Sequence, residues 1–461
     1  MSEVTEPSAE LEALKDAHER LLARYPGDRA ARQPVHTVYG GAQLYKAETT
    51  RRLGELAQKA LAGHARDARD FATAVGLHAA DGGPASDAFA TRVHERVKAK
   101  LEREAVEDFR IDFEDGFGAR PDAEEDEVAV RAARELARAL DTGQAPPFIG
   151  IRVKSLSAEW HARSRRTLEL FVDTLLEATG GRLPPGFVVT LPKVTSAAEP
   201  RLLVRLLERL ERRHGLAAGA LALELMVETT QALVGPDGTL ALPRLLDACE
   251  GRCAGAHLGT YDFTAACSIT ASQQSMLHPL CDLAKGLMLL AFAGTGVFLS
   301  DGATNVMPVG PHRGEALSAL ALAENRRAVH AAWQLSYRSI RHSLEGGFYQ
   351  GWDLHPAQLP VRYAACFAFF LEGFDAAAER LQNFVEKSAQ ATLVGDVFDD
   401  AATGQGLLNY FLRALNSGAI SLEEAQRTGL TVDELGLRSF AKILTARRAR
   451  LKADPSVLGP R

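Results

Sequence analysis

Acidic and basic residues recur in this sequence at or near the ends of short apolar runs. Asp112, Glu114 and Asp115 lie in FRIDFED, Arg152 and Lys154 in FIGIRVK, and Lys193 in FVVTLPKV. Glu228 closes LALELMVE, Asp262 closes GAHLGTYD, Asp301 lies in GVFLSDG, and Asp353 and His355 lie in QGWDLHP. Carboxylates gathered in a low-dielectric pocket repel one another unless a metal or a basic side chain neutralises them. Glu228 and Asp262 offer oxygen alone, with no His or Cys at comparable spacing, and so select a hard ion such as Mg2+, with Mn2+ as its substitute. Arg152 would face that ion across a bound substrate. A divalent ion and a guanidinium flanking one carbonyl oxygen stabilise an enolate, because both charges act where negative charge develops. The chemistry indicated is making or breaking a carbon-carbon bond next to a carbonyl.

Each residue also has a purely structural role open to it. Asp262 before FTAACS suits a helix N-cap. Glu228 could pair with a structural lysine, and Arg152 could clamp the carboxylates of FRIDFED. Asp301 in SDG reads more readily as a turn residue than as a ligand, and His355 before Pro356 as a packed strand end. Their conjunction at successive run ends favours the catalytic reading.

The positioning elements follow from periodicity. Eight short runs, 35–40, 109–115, 148–154, 187–194, 221–228, 255–262, 296–302 and 350–356, alternate with segments of helical period such as EDEVAVRAARELARAL and SRRTLELFVDTLLEAT. That alternation is the signature of a parallel sheet, and eight units predict an α/β fold, a (β/α)8 TIM barrel whose active site forms at the carboxyl ends of the strands. A doubly wound open sheet would more readily show a Gly-rich phosphate turn after its first strand, where this chain has GGAQLYKAETT. We expect an N-terminal helical extension over 1–33 and a catalytic barrel over 34–369. A helical insertion over about 45–107 follows strand one and contains a loop at DGGPASD. A C-terminal α-helical domain is expected over 370–461.

Composition sets the outer limits. The chain has 461 residues, with 53 Lys and Arg against 59 Asp and Glu, so no sequence-wide basic field draws it to nucleic acid or anionic lipid. Its first residues, MSEVTEPSAELEALK, lack the basic and apolar regions of a signal peptide. The longest strongly apolar stretch, Gly286 to Leu299, is too short to span a bilayer. Five cysteines without C-x-x-C spacing argue against a disulfide scaffold or structural zinc, and suit a reducing cytoplasm.

With these residues in view, the chain resembles the citrate lyase beta-subunit-like, HpcH/HpaI aldolase superfamily. IDFEDG at 111–116 is similar to its strand-two motif, GIRVKS at 150–155 to its arginine motif, and LPKV at 191–194 to its strand-four motif. LMVETTQAL at 225–233 and LGTYDFT at 258–264 resemble the metal-binding Glu and Asp motifs, and GFYQGWDLHPAQL at 347–359 the terminal signature. The resemblance implies a Mg2+-dependent barrel in which Glu228 and Asp262 hold the metal. Arg152 stabilises an enolate, and Asp115 orients water at the metal. The implied substrate is a small carboxylate or 2-oxo acid.

A second resemblance, to malate synthases, rests on GTYDFTAACS and on VFDDAATGQGLLNYFLRALNSGAI at 397–420. It implies an acyl-CoA condensing enzyme with Asp400 as the base. Asp399 and Asp400 equally suit an N-cap for a helix starting near Ala401. Arg163, Arg165 and Arg166 in HARSRR could meet a CoA phosphate, although a solvated helical face is the better reading of such a run, as of RRARLK near the end. A non-catalytic binding protein is the rival of another class, and it leaves a costly carboxylate cavity without a purpose. A homo-oligomer is compatible with all of these readings.

Overall fold

The structure is a computed structural model in which residues 8–78, 83, 85–314, 316–394 and 401–453 are described. Asp399, Asp400 and, in the DGGPASD loop, Asp81, Gly82 and Pro84 lie outside the described residues. All eight expected strands are present: β1 (His36–Gly41), β2 (Asp108–Asp112), β3 (Phe148–Arg152), β4 (Val188–Leu191), β5 (Ala222–Val227), β6 (Cys253–Leu258), β7 (Phe298–Ser300) and β8 (Gly351–Asp353). They form one parallel sheet in the order β7-β6-β5-β4-β3-β2-β1-β8, the circuit of a nearly closed (β/α)8 barrel. Packing divides the chain into two compact units. One comprises Met1–Ala31, Asp112–Ala133 and Gly150–Gly302; the other comprises Arg32–Ile111, Arg134–Ile149 and Ala303–Arg461.

In the first unit the strands alternate strictly between two faces. Ile151, Val189, Leu191, Leu223, Leu225, Val227, Ala256 and Leu258 are fully buried apolar residues on one face. The residues between them, Gly150, Arg152, Thr190, Glu224, Met226, Gly255 and His257, share the other, because side chains along a strand point in opposite directions with period two. The register holds that second face in rows, with Arg152 beside Thr190, Thr190 beside Glu224, and Met226 beside His257. Gly150 is required there: a Cβ would sit 2.3 Å from the Val188 carbonyl oxygen and 2.8 Å from its Cγ2. Gly150→Ala is therefore expected to cost about 2–3 kcal/mol of stability, read as a lower urea midpoint.

The strands are shorter than the sequence suggested. β6 ends at Leu258, and Gly259 then caps a helix over Thr260–Ala266, so Asp262 lies in a first helical turn rather than on a strand. Glu114, Asp115, Lys193 and Glu228 likewise fall in the turns that follow β2, β4 and β5.

The second unit holds β1 and β8, paired with His36 opposite Gly351 and Val38 opposite Asp353. The expected insertion forms helices Thr49–His64, Ala68–Val75 and Asp87–Glu104, the second of them capped by Asp67 accepting from the Asp70 N–H. The helix Leu359–Leu371 is buried on nearly every side and packs against Ala319–Glu345 and Asp87–Glu104. Asp353 and His355 serve this unit. Asp353 pairs with Arg362 at 3.1 Å and lies 3.0 Å from His36 Nδ1; burial opposes its ionisation, but the Arg362 charge and the contact with His36 hold it near pKa 2. His355 accepts from the Ala357 N–H and caps the turn Pro356–Gln358, as expected of a packed strand end. Among the described residues no helix is long and apolar enough to cross a membrane.

Candidate functional site

The end of β2 and the turn after it supply three carboxylates, Asp112, Glu114 and Asp115, with different surroundings. Asp112 is fully buried, and both its oxygens are engaged. The Arg152 guanidinium donates to it through Nε (2.7 Å) and Nη2 (2.5 Å), and the backbone N–H groups of Glu114 (3.0 Å) and Gly116 (2.7 Å) donate as well. A carboxylate so occupied is an anchor rather than a metal ligand. The Arg152 clamp considered from the sequence is real, yet it uses one edge of the guanidinium. The other edge, Nη1, lies 3.2 Å from Glu114, 3.6 Å from Asp115 and 3.6 Å from the Met226 sulfur.

Lys193 follows β4 in a left-handed backbone conformation with φ +52°. Its ammonium lies 2.6 Å from Glu114, 3.4 Å from Asp115 and 3.5 Å from Asp262, while its backbone N–H donates to Glu228 Oε1 at 2.6 Å. Burial works against the charge on Lys193, but Glu228, Glu114 and Asp115 outweigh it and hold its pKa above the ordinary lysine value. Asp115 is on the rim, more than half exposed. Burial opposes its ionisation as well, and Glu114, Arg152 and Lys193 together keep its pKa low.

Glu228, the residue after β5, is 2% exposed. Burial first, and the charge of Asp262 second, push its carboxyl up to about 8 in spite of Lys193 and Arg152. Gly259 makes room for it, since a Cβ there would lie 2.5 Å from both Cβ and Oε2 of Glu228. Asp262 is nearly half exposed, and its recorded partner is Lys193 rather than a backbone N–H; the N-cap alternative fails because Gly259 holds that position. An acidic group in a first helical turn is favoured by the helix dipole.

These geometries bring Arg152, Asp115, Glu228 and Asp262 together in one unit, with Glu114 and Lys193 between them. Five carboxylates, Asp112, Glu114, Asp115, Glu228 and Asp262, face two cations, Arg152 and Lys193. Among the described residues no group of three or more His, Cys, Asp or Glu is arranged to hold a metal ion by itself. The donor set nevertheless fits Mg2+, which takes one or two carboxylates and completes its shell with water and substrate. A buried glutamate that resists ionisation, next to an aspartate that opposes it further, is a pair whose charge a divalent ion would balance.

The remaining candidates have other roles. Lys154 turns to the Phe113 carbonyl (2.6 Å) and Glu125 (2.8 Å). Asp301 follows β7 fully buried, pairs with Lys285 at 3.1 Å and accepts from the Gly302 N–H. Arg163 is buried against Asp126 and Glu125, Arg166 also pairs with Asp126, and Arg165 faces Glu169, so each has a carboxylate partner. All five cysteines are free thiols, four of them buried.

Sequence reasoning passed over a buried polar group on the same strand face as Arg152. Glu224 accepts from Thr190 at 2.9 Å and lies 3.2 Å from His257 Nε2. The available signal was a glutamate and a histidine at inward positions of otherwise apolar strands. The hydroxyl of Thr260, also buried, has no hydrogen-bond partner among the described residues.

Among solved structures, the chain is similar to a citrate lyase from Burkholderia xenovorans LB400, with 20% identity over 73% of this chain and 92% of that one, TM-score 0.48. It is also similar to Haloferax volcanii malate synthase in a magnesium/glyoxylate complex, with 14% identity over 90% of this chain and 97% of that one, TM-score 0.45. The pyruvate/acetyl-CoA ternary complex of the same enzyme gives 14% identity over 91% and 98%, TM-score 0.45. No curated protein matches the chain. Residues 14–443 match the family model described as Domain of unknown function (DUF6986), and the chain belongs to that family.

Proposed function

We propose that this protein is a Mg2+-dependent enzyme that makes or cleaves a carbon-carbon bond next to a carbonyl, through an enolate of a 2-oxo acid or acyl substrate. The observation that supports it most directly is the pairing of Glu228 and Asp262 within one unit as Arg152. Glu228 and Asp262 would hold the ion, with Mn2+ as its substitute. When bound, such an ion supplies Lewis-acid polarisation of the substrate carbonyl.

The chain's own groups do the rest. Asp112 fixes the guanidinium plane of Arg152 by two charge-assisted hydrogen bonds, so that Nη1 is presented without further ordering. A guanidinium held in that way stabilises developing enolate charge at little reorganisation cost. Asp115, at the rim, would orient water at the metal. A CoA thioester is one form the acyl substrate could take.

The test is proton exchange in D2O. The protein with Mg2+ is expected to exchange the methyl protons of pyruvate or of acetyl-CoA, seen by 1H NMR, and to stop when EDTA is added. Absence of exchange with both compounds would remove the enolate reading.

A further inference from the structure

Lys193 occupies an unusual place for a side chain with so much freedom. Its ammonium lies among Glu114 (2.6 Å), Asp115 (3.4 Å) and Asp262 (3.5 Å), and its own backbone N–H holds Glu228 at 2.6 Å. The two carboxylates suited to a divalent ion are thus both contacted by one residue, Asp262 through the ammonium and Glu228 through the main chain. We propose that the Lys193 ammonium is a resident counter-cation of this site, and that a divalent ion binds by displacing it. The inference rests on the metal-dependent reading given above and adds the route by which the ion enters.

Three features support displacement of Lys193 rather than of Arg152. Arg152 is 5% exposed and doubly tied to Asp112, whereas the Lys193 side chain is 34% exposed and has a path to solvent. An ammonium on a flexible four-carbon stem is a mobile, strongly hydrated point charge, while a guanidinium locked in a fork is not. The anchoring of Glu228 also depends on the Lys193 backbone, so the side chain can swing away while that hydrogen bond remains. Repulsion supplies the force. An ion bound to Asp262 would lie within a few ångströms of the ammonium, where like charges repel by several kcal/mol at an effective dielectric constant of about 20.

The experiment compares Mn2+ binding, followed by electron paramagnetic resonance, in the full-length wild type and in K193N, K193R and E228Q. Asparagine tolerates the left-handed conformation at this position and keeps the backbone N–H, so K193N removes the charge alone. K193N is expected to bind Mn2+ at least about tenfold more tightly than wild type, a difference of about 1.4 kcal/mol. K193R should show no gain. Equal or weaker binding by K193N, with binding lost in E228Q, would overturn the displacement and leave the metal reading standing. No Mn2+ binding by either wild type or K193N would overturn both.

A second measurement needs no variant. Brief acetylation with acetic anhydride, quantified by mass spectrometry, should label Lys193 several-fold more in the presence of Mn2+ than in EDTA, and unchanged labelling would overturn the proposal.

Discussion

Glu228→Gln is expected to abolish Mn2+ binding and to lower the rate of proton exchange by at least about a thousandfold, the loss anticipated when a principal source of transition-state charge stabilisation goes. The same variant carries a pH signature. With its carboxyl pushed up to about 8 from an ordinary 4.5, folded Glu228 retains a proton that the unfolded chain releases. The folded state then binds more protons than the unfolded state between these values, so metal-free stability falls as pH rises from about 4.5 to 8. At 1.4 kcal/mol per unit the loss amounts to at most about 5 kcal/mol. Glutamine cannot release that proton, so urea denaturation of Glu228→Gln in EDTA should show this dependence removed, with the variant more stable than wild type at pH 8 and above. Divalent-ion affinity in the wild type should run the opposite way, gaining about tenfold per unit as pH approaches 8, because the ion must displace the proton. A flat affinity profile would show that Glu228 is already ionised in the folded protein.

Arg152→Met separates structure from catalysis. Removing the guanidinium leaves Asp112 buried and uncompensated, at a cost of about 3–5 kcal/mol. Exchange should also slow by about a hundredfold to a thousandfold. Adding Asp112→Asn removes the stranded charge, and the double variant is expected to recover much of the stability and none of the rate. If it recovered both, Arg152 would be a structural clamp alone.

The legibility of these features from sequence varied with the range of the interaction. The eight strands are readable because each is a compact apolar run, and the insertion because it forms a continuous helical stretch between the first two of them. The end of β6 was misread, since Thr260 and Tyr261 favour strands locally while Gly259 in fact opens a helix there. The ion pair of Asp301 with Lys285 is not legible in the sequence, because Lys285 reaches it only through the fold. Of the two roles the sequence allows Arg152, the clamp is visible, its Nε and Nη2 edge meeting Asp112, while Nη1 faces Glu114 and Met226. Glu224 and His257 went unnoticed because apolar neighbours on both sides gave their strands an ordinary core appearance.

Every charged side chain of the site lies between Asp112 and Asp262, inside a single compact unit. Two segments of that unit, Asp112–Ala133 and Gly150–Gly302, therefore carry the whole electrostatic design. A substitution outside those two segments leaves unchanged which acid meets which base, so the balance of charge at the site answers to mutations within them alone.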